Sequence, residues 1–209
     1  MNKKSLRFCL LKSGIKTVRI EIVELIKNKQ GRVILVVGPA SSGKSEWAEK
    51  LAKASAKPVT YIATAIADPN DSAWQEKLQK HAKRRPQSWS TQEIPTALAA
   101  YLNQEKGDNC LLIDSLGTWV ANCLSSNDQG WEKTVTHFLT SLKTTSAEVI
   151  LVGEETGWGV IPAYKSGRVF RDRLGDLTRR IGEVATEVYL VTGGYALPLN
   201  QIGQPLNAT

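Results

Sequence analysis

A nucleoside triphosphate is a polyanion that must be met by many donors at once, and one stretch of this chain has the composition to do so. Gly38-Pro39-Ala40-Ser41-Ser42-Gly43-Lys44-Ser45 fits the pattern G-x-x-x-x-G-K-[ST]. In such a loop the glycines let the backbone curl until successive N–H groups face phosphate oxygens at the positive end of a helix. Lys44 adds a mobile charge over the β- and γ-phosphates, and Ser45 offers a hydroxyl to Mg²⁺. Average residue usage produces this pattern by chance in on the order of one chain in a hundred of this length. The apolar run before it and the helical pattern after it make chance rarer still. A site of this kind also needs a carboxylate at the end of another strand, to hold the hydrated metal. Asp114, closing Cys110-Leu111-Leu112-Ile113-Asp114, stands in that position. Its other reading is a cap for the helix that follows.

A second constellation is less common: His81-Ala82-Lys83-Arg84-Arg85-Pro86, with Trp89 and Glu93 beyond it. Trp74, Leu78 and His81 fall at i, i+4 and i+7, one stripe of a helix that Pro86 ends. A lone histidine on such a stripe commonly packs toward a core. The three cations after it suit triphosphate oxygens, and a neutral imidazole is a competent nucleophile toward phosphorus near pH 7. On spacing alone both readings stand. Two further clusters are Glu154-Glu155-Thr156-Gly157-Trp158-Gly159-Val160-Ile161-Pro162 and Phe170-Arg171-Asp172-Arg173-Leu174-Gly175. Within the first, the turn from Glu155 to Pro162 reads equally as support for the phosphate site or as a structural glycine turn. In the second, Arg171 and Asp172 read as an ion pair on a helix face.

The elements that must position these residues are legible from periodicity. Short runs rich in Val, Ile and Leu at 33–37, 59–63, 110–114, 149–153 and 188–192 predict buried strands. Helical patterns lie near 43–55, 70–84, 95–105, 116–125, 131–145 and 168–186. Continuous apolar strands separated by helices imply an α/β fold, a P-loop (RecA-like), mainly parallel sheet with helices on both faces. The Gly193-Gly194 pair before residues 196–199 predicts a last strand that turns back antiparallel. Residues 33–209 thus form one nucleotide-binding domain, and residues 1–32 are a basic N-terminal extension.

Charge distribution narrows the function further. The chain carries a net +7. Residues 1–32 hold nine Lys/Arg against Glu21 and Glu24, so the domain beyond them is formally neutral. Basicity confined to an extension is poor support for nucleic-acid binding, and the domain lacks interleaved basic and aromatic residues. No run approaches the length a membrane helix needs. The extension does not read as a secretory signal, because Lys12 and Lys16 interrupt its would-be apolar core. Cys9, Cys110 and Cys123 are odd in number and lack metal-site spacing, which fits a reducing, cytoplasmic compartment.

From about Val33 to about Leu199, these clusters, together with Tyr61-Ile62-Ala63-Thr64-Ala65 and the phosphate loop, resemble the bifunctional adenosylcobinamide kinase/adenosylcobinamide-phosphate guanylyltransferase family. The resemblance implies a transferase of cobalamin biosynthesis with two activities. One moves the γ-phosphoryl of ATP or GTP to adenosylcobinamide, with Mg²⁺ present. The other transfers GMP from GTP to adenosylcobinamide phosphate, through a covalent intermediate on His81. By position it assigns Gly38 to Ser45 to the phosphates, and Ala63, Thr64 and Ala65 to the nucleotide site. Ala82, Lys83, Arg84 and Arg85 meet GTP after His81, and Glu93 and Asp114 complete the nucleotide and metal contacts. It also implies a homo-oligomer, a trimer in relatives, with corrinoid bound between subunits. Departures from the family pattern are Pro39, which removes one backbone N–H from the cradle, Ser41, Thr178, and the stretch Asp68-Pro69-Asn70-Asp71. Competing readings are a P-loop kinase for another small alcohol without guanylyl transfer, and a nucleotide-dependent switch or nucleic-acid motor.

Overall fold

Alternate residues of the first strand pack on opposite faces, and this divides the core. The computed structural model describes residues 31–66, 84–105 and 107–206. Strand β1 (Val33–Gly38) is buried along its whole length. Val33, Leu35 and Val37 pack into one hydrophobic cluster with Leu98, Leu102, Trp119, Phe138 and Leu177, and Ile34 and Val36 into another with Ala48, Ala52 and Tyr61. A strand buried on both faces must be apolar throughout, which is why no polar residue interrupts it.

The remaining strands are β2 (Val59–Ala63), β3 (Ser90–Glu93), β4 (Cys110–Asp114), β5 (Glu148–Glu154), β6 (Glu187–Thr192) and β7 (Tyr195–Pro198). They form one seven-stranded sheet in the order β3-β2-β4-β5-β1-β6-β7. All pairings are parallel except β6 with β7. The helices are α1 (Lys44–Ala54), α2 (Leu98–Gln104), α3 (Leu116–Asn122), α4 (Asp128–Thr144), α5 (Lys165–Val184) and the single turn α6 (Leu199–Ile202). Helix α1 covers the face with Ile34 and Val36, whereas α2, α3, α4 and α5 contribute to the opposite cluster. Helices on both faces of a mainly parallel sheet, with an antiparallel last strand, agree with the sequence reading.

Caps set several boundaries. Asn127 accepts from Gly130 N and starts α4, and Ser115 forms a capping box with Thr118 at the start of α3. The pattern near 116–125 ends earlier as helix, at Asn122. Strand β3 was not expected: its sequence is Ser-Thr-Gln-Glu and all four residues are exposed, so no hydrophobic period marks it. Residues 1–30, the expected helix near 70–84 up to Lys83, and His81, Ala82 and Lys83 with it lie outside the described residues.

Candidate nucleotide site

Parallel strands end together, and here their carboxyl ends deliver the chemistry. The sheet register pairs Gly38 with Glu154, Asp114 with Val152, and Ala63 with both Asp114 and Glu93. The phosphate loop leaves β1, Asp114 ends β4 and Glu154 ends β5, the strand between them. A ligand is expected at this end of an open α/β sheet.

Residues 38–45 connect β1 to α1, and two of their glycines answer steric demands. A Cβ on Gly38 would lie 2.4 Å from the Val191 carbonyl oxygen, so no side chain fits where the loop leaves the sheet. Gly43 has φ 89° at the N-cap of α1, a conformation glycine adopts without penalty. Ser41 occupies the left-handed region too, with φ 58°, at a cost on the order of 1–2 kcal/mol for an L-residue. Lys44 Nζ donates to the Pro39 carbonyl at 3.2 Å, and Ser42 N donates to the same oxygen at 3.3 Å. The Ser42 hydroxyl is buried with no hydrogen-bond partner among the described residues, a donor suited to a phosphate oxygen.

A cavity of about 400 Å³ opens over this loop. Ala40, Ser41, Ser42, Gly43, Lys44, Ser45, Ala65, Arg84 and Asp114 line it, nine of the residues expected from sequence. Tyr61, Glu46, Ser115, Thr118 and Glu154 line it too without having been assigned to the site, although Tyr61 and Glu154 stand in the quoted clusters. Only position could have found them: Tyr61 opens the Tyr-Ile-Ala-Thr-Ala run, and Glu154 closes a strand. Gly117 N donates to Glu154 Oε2 at 2.8 Å. A Cβ on Gly117 would come within 2.3 Å of that oxygen, so the glycine makes room for the carboxylate.

Not every expected residue reaches the cavity. Thr64 is fully buried; its hydroxyl donates to the Ser115 carbonyl at 2.7 Å and accepts from Ser115 N at 2.9 Å. Its side chain is thus committed to holding the β4–α3 turn behind the cavity wall. Ala63 and Glu93 end their strands outside the lining, and Glu93 is exposed. Gly38 and Pro39 also lie outside the lining, Gly38 as the last residue of β1 and Pro39 with its carbonyl accepting from Lys44 and Ser42. Arg171 and Asp172 form the ion pair read from sequence, at 3.0 Å.

Two arginines tie the segment after His81 to the phosphate site. Arg84 donates to Glu46 at 2.9 Å and to Glu49 at 3.1 Å, both on α1. Burial raises the Glu49 pKa, with Arg84 pulling it back down. The Arg85 guanidinium lies 3.8 Å from the centroid of the Tyr61 ring, a cation–π geometry. Tyr61 in turn donates from its hydroxyl to Asp114 Oδ2 at 3.2 Å. Burial foremost, then the Asp114 charge, push the Tyr61 pKa up, which keeps the hydroxyl a donor.

The oxygen donors Ser45 and Asp114 fit Mg²⁺, a hard cation that retains water and shares its coordination with phosphates. Among the described residues no group of three or more His, Cys, Asp or Glu could hold a metal ion.

A family model described as cobinamide kinase/cobinamide phosphate guanyltransferase matches residues 34–199, from the phosphate-loop strand to the last strand. The chain belongs to this family. It is 39% identical over 174 residues to the bifunctional adenosylcobalamin biosynthesis protein CobP of Pseudomonas aeruginosa, covering 82% of this chain and 98% of that protein. It is 32% identical over 183 residues to the bifunctional adenosylcobalamin biosynthesis protein CobU of Salmonella typhimurium, covering 80% and 99%. Among solved structures, a protein of Pyrococcus horikoshii OT3 superposes with a TM-score of 0.52 at 10% identity, over 88% of this chain and 98% of that one. That likeness shows the fold alone.

Proposed function

We propose that this enzyme phosphorylates adenosylcobinamide with ATP or GTP and then transfers GMP from GTP to adenosylcobinamide phosphate, giving adenosyl-GDP-cobinamide. Family membership supports the pair of reactions, and one observation supports their sharing a site. Arg84, three residues after His81, lines the same cavity as Lys44, Ser45 and Asp114.

In the first reaction the acceptor hydroxyl oxygen attacks the γ-phosphorus and gives up its proton to solvent, and the bond to the bridging oxygen breaks to release nucleoside diphosphate. Lys44 and the loop amides hold the phosphates in line, so that positioning and charge neutralisation supply the catalysis. Ser45 and Asp114 would hold Mg²⁺, which neutralises phosphate charge when bound. In the second reaction a His81 ring nitrogen attacks the α-phosphorus of GTP and pyrophosphate leaves. A phosphate oxygen of adenosylcobinamide phosphate then attacks the same phosphorus and displaces the imidazole. Arg84 and Arg85 follow the nucleophile with planar donors that suit phosphate oxygens. A homotrimer and a cytoplasmic location accompany this reading by family likeness and cysteine usage. Among the described residues no helix is long and apolar enough to cross a membrane.

Incubation with α-labelled GTP tests the reading: the protein should retain acid-labile label. His81→Asn should lose both that label and GMP transfer while keeping measurable kinase activity, because phosphoryl transfer needs no covalent imidazole. Retained label would move the nucleophile elsewhere, and absence of label in the unaltered protein would favour a simple P-loop kinase.

A further inference from the structure

Four large apolar side chains project from the loop between β5 and α5, within seven residues. Trp158 is 62% exposed, Val160 95%, Ile161 66% and Tyr164 81%. Single exposed apolar residues are ordinary, but a run of them on one loop marks a contact surface.

The loop is anchored at both ends. Glu155 N donates to the carbonyl of Gly38, the first residue of the phosphate loop, at 2.9 Å. Glu154, just before it, lines the nucleotide cavity. At the other end Arg168 Nη1 donates to the carbonyls of Pro162 and Ala163, at 3.0 and 2.7 Å. Pro162 also packs so closely on Gly167 that a Cβ there would lie 2.8 Å from the proline's own Cβ. The apolar loop therefore starts from the rim of the phosphate site and is pinned again at α5.

Acceptor chemistry supplies an occupant, on the reading proposed above. A cobinamide is a broad corrin plate fringed with amides, and its reacting hydroxyl sits at the tip of one flexible arm. A cavity of about 400 Å³ lies toward the small end of ligand pockets, and the nucleotide phosphates claim it. Only the arm can enter beside them, so the plate must rest outside, within an arm's length of the γ-phosphate. We infer that residues 155–164 are the seat of the corrin macrocycle, with Trp158, Val160, Ile161 and Tyr164 as its apolar contacts. A loop pinned before the ligand arrives loses little entropy on binding, which suits it to orient a large plate.

The test uses the full chain titrated with cobinamide in the presence of a non-hydrolysable GTP analogue. Trp158→Ala combined with Val160→Ser should raise the cobinamide concentration for half-saturation about tenfold, the scale expected for truncating an aromatic anchor. The corresponding value for nucleotide should not follow it, and the melting temperature guards against a misfolded variant. Tyr164→Ala alone should shift cobinamide binding in the same direction. Unchanged cobinamide affinity in both variants overturns the assignment. A fall in affinity that tracks a smaller sedimenting species and recovers at high protein concentration also overturns it, by giving the patch to a second copy of this chain. Failure of the proposed function would show earlier and differently: the unaltered protein would bind no cobinamide and take no label from GTP.

Discussion

At the scale of single residues, the site depends on side chains that orient other side chains. Tyr61 is the clearest case, since its hydroxyl holds Asp114 and its ring carries Arg85. Tyr61→Phe keeps the ring and removes only the hydrogen bond. A net hydrogen bond contributes about 0.5–1.5 kcal/mol, so the Mg²⁺ concentration needed for half-maximal kinase rate should rise about two- to tenfold. The rate at saturating Mg²⁺ should stay close to normal. Binding of Mn²⁺ to the protein with GTP, followed by electron paramagnetic resonance, should weaken in parallel. An unchanged metal dependence would mean that Asp114 is held in place without the phenol. Periodicity could not reveal this role, because Tyr61 has the alternation expected of any inward-facing strand residue.

At the scale of elements, burial governs both stability and what could be read in advance. Cys110 opens β4 and is fully buried, and burial pushes its thiol pKa up to about 11. The sign follows from comparing states. An unfolded thiol ionises from about pH 8.5 upward, while the folded one stays neutral, so the contribution is fully present below that pH and is lost as pH rises toward about 11. Native protein at pH 8 should therefore show no alkylation of Cys110 by iodoacetamide, and peptide mapping should find it modified only after denaturation. Rapid modification under native conditions would show that β4 opens locally. The same burial made β1, β4 and β5 legible, because their apolar runs have one stable placement, inside a covered parallel sheet. Strand β3 left no such trace, since its polar edge residues gain a place through pairing with β2 rather than through side-chain burial. The phosphate loop was legible because its residue types follow from its backbone. Glu154 was not, because its place beside Gly117 arises only once β5 and α3 come together.

At the scale of the whole molecule, the question is where the working domain begins. Residues 1–30 hold eight Lys/Arg against Glu21 and Glu24, six of the seven net positive charges. The sheet begins at Val33, and its first anchors lie just before it. Gly31 N donates to the Thr145 carbonyl at 2.7 Å, and the Arg32 carbonyl accepts from Val149 N at 2.8 Å. Arg32 also pairs with Glu187 and, at 3.5 Å, with Glu148, whose side chain is only 7% exposed. Deleting residues 1–30 should thus leave the melting temperature, GMP labelling and kinase rate within experimental error. The truncated protein should elute far earlier from a cation exchanger, as the loss of six charges requires. Removing residues 31 and 32 as well should cost about 1–2 kcal/mol, discounted because Arg32 is itself 44% exposed. Glu148 would then be left with Lys57, 3.7 Å away, as its remaining ion-pair partner among the described residues. Thermal melts of the two truncations decide the matter. A large loss of stability already at the first would mean that residues 1–30 belong to the folded domain.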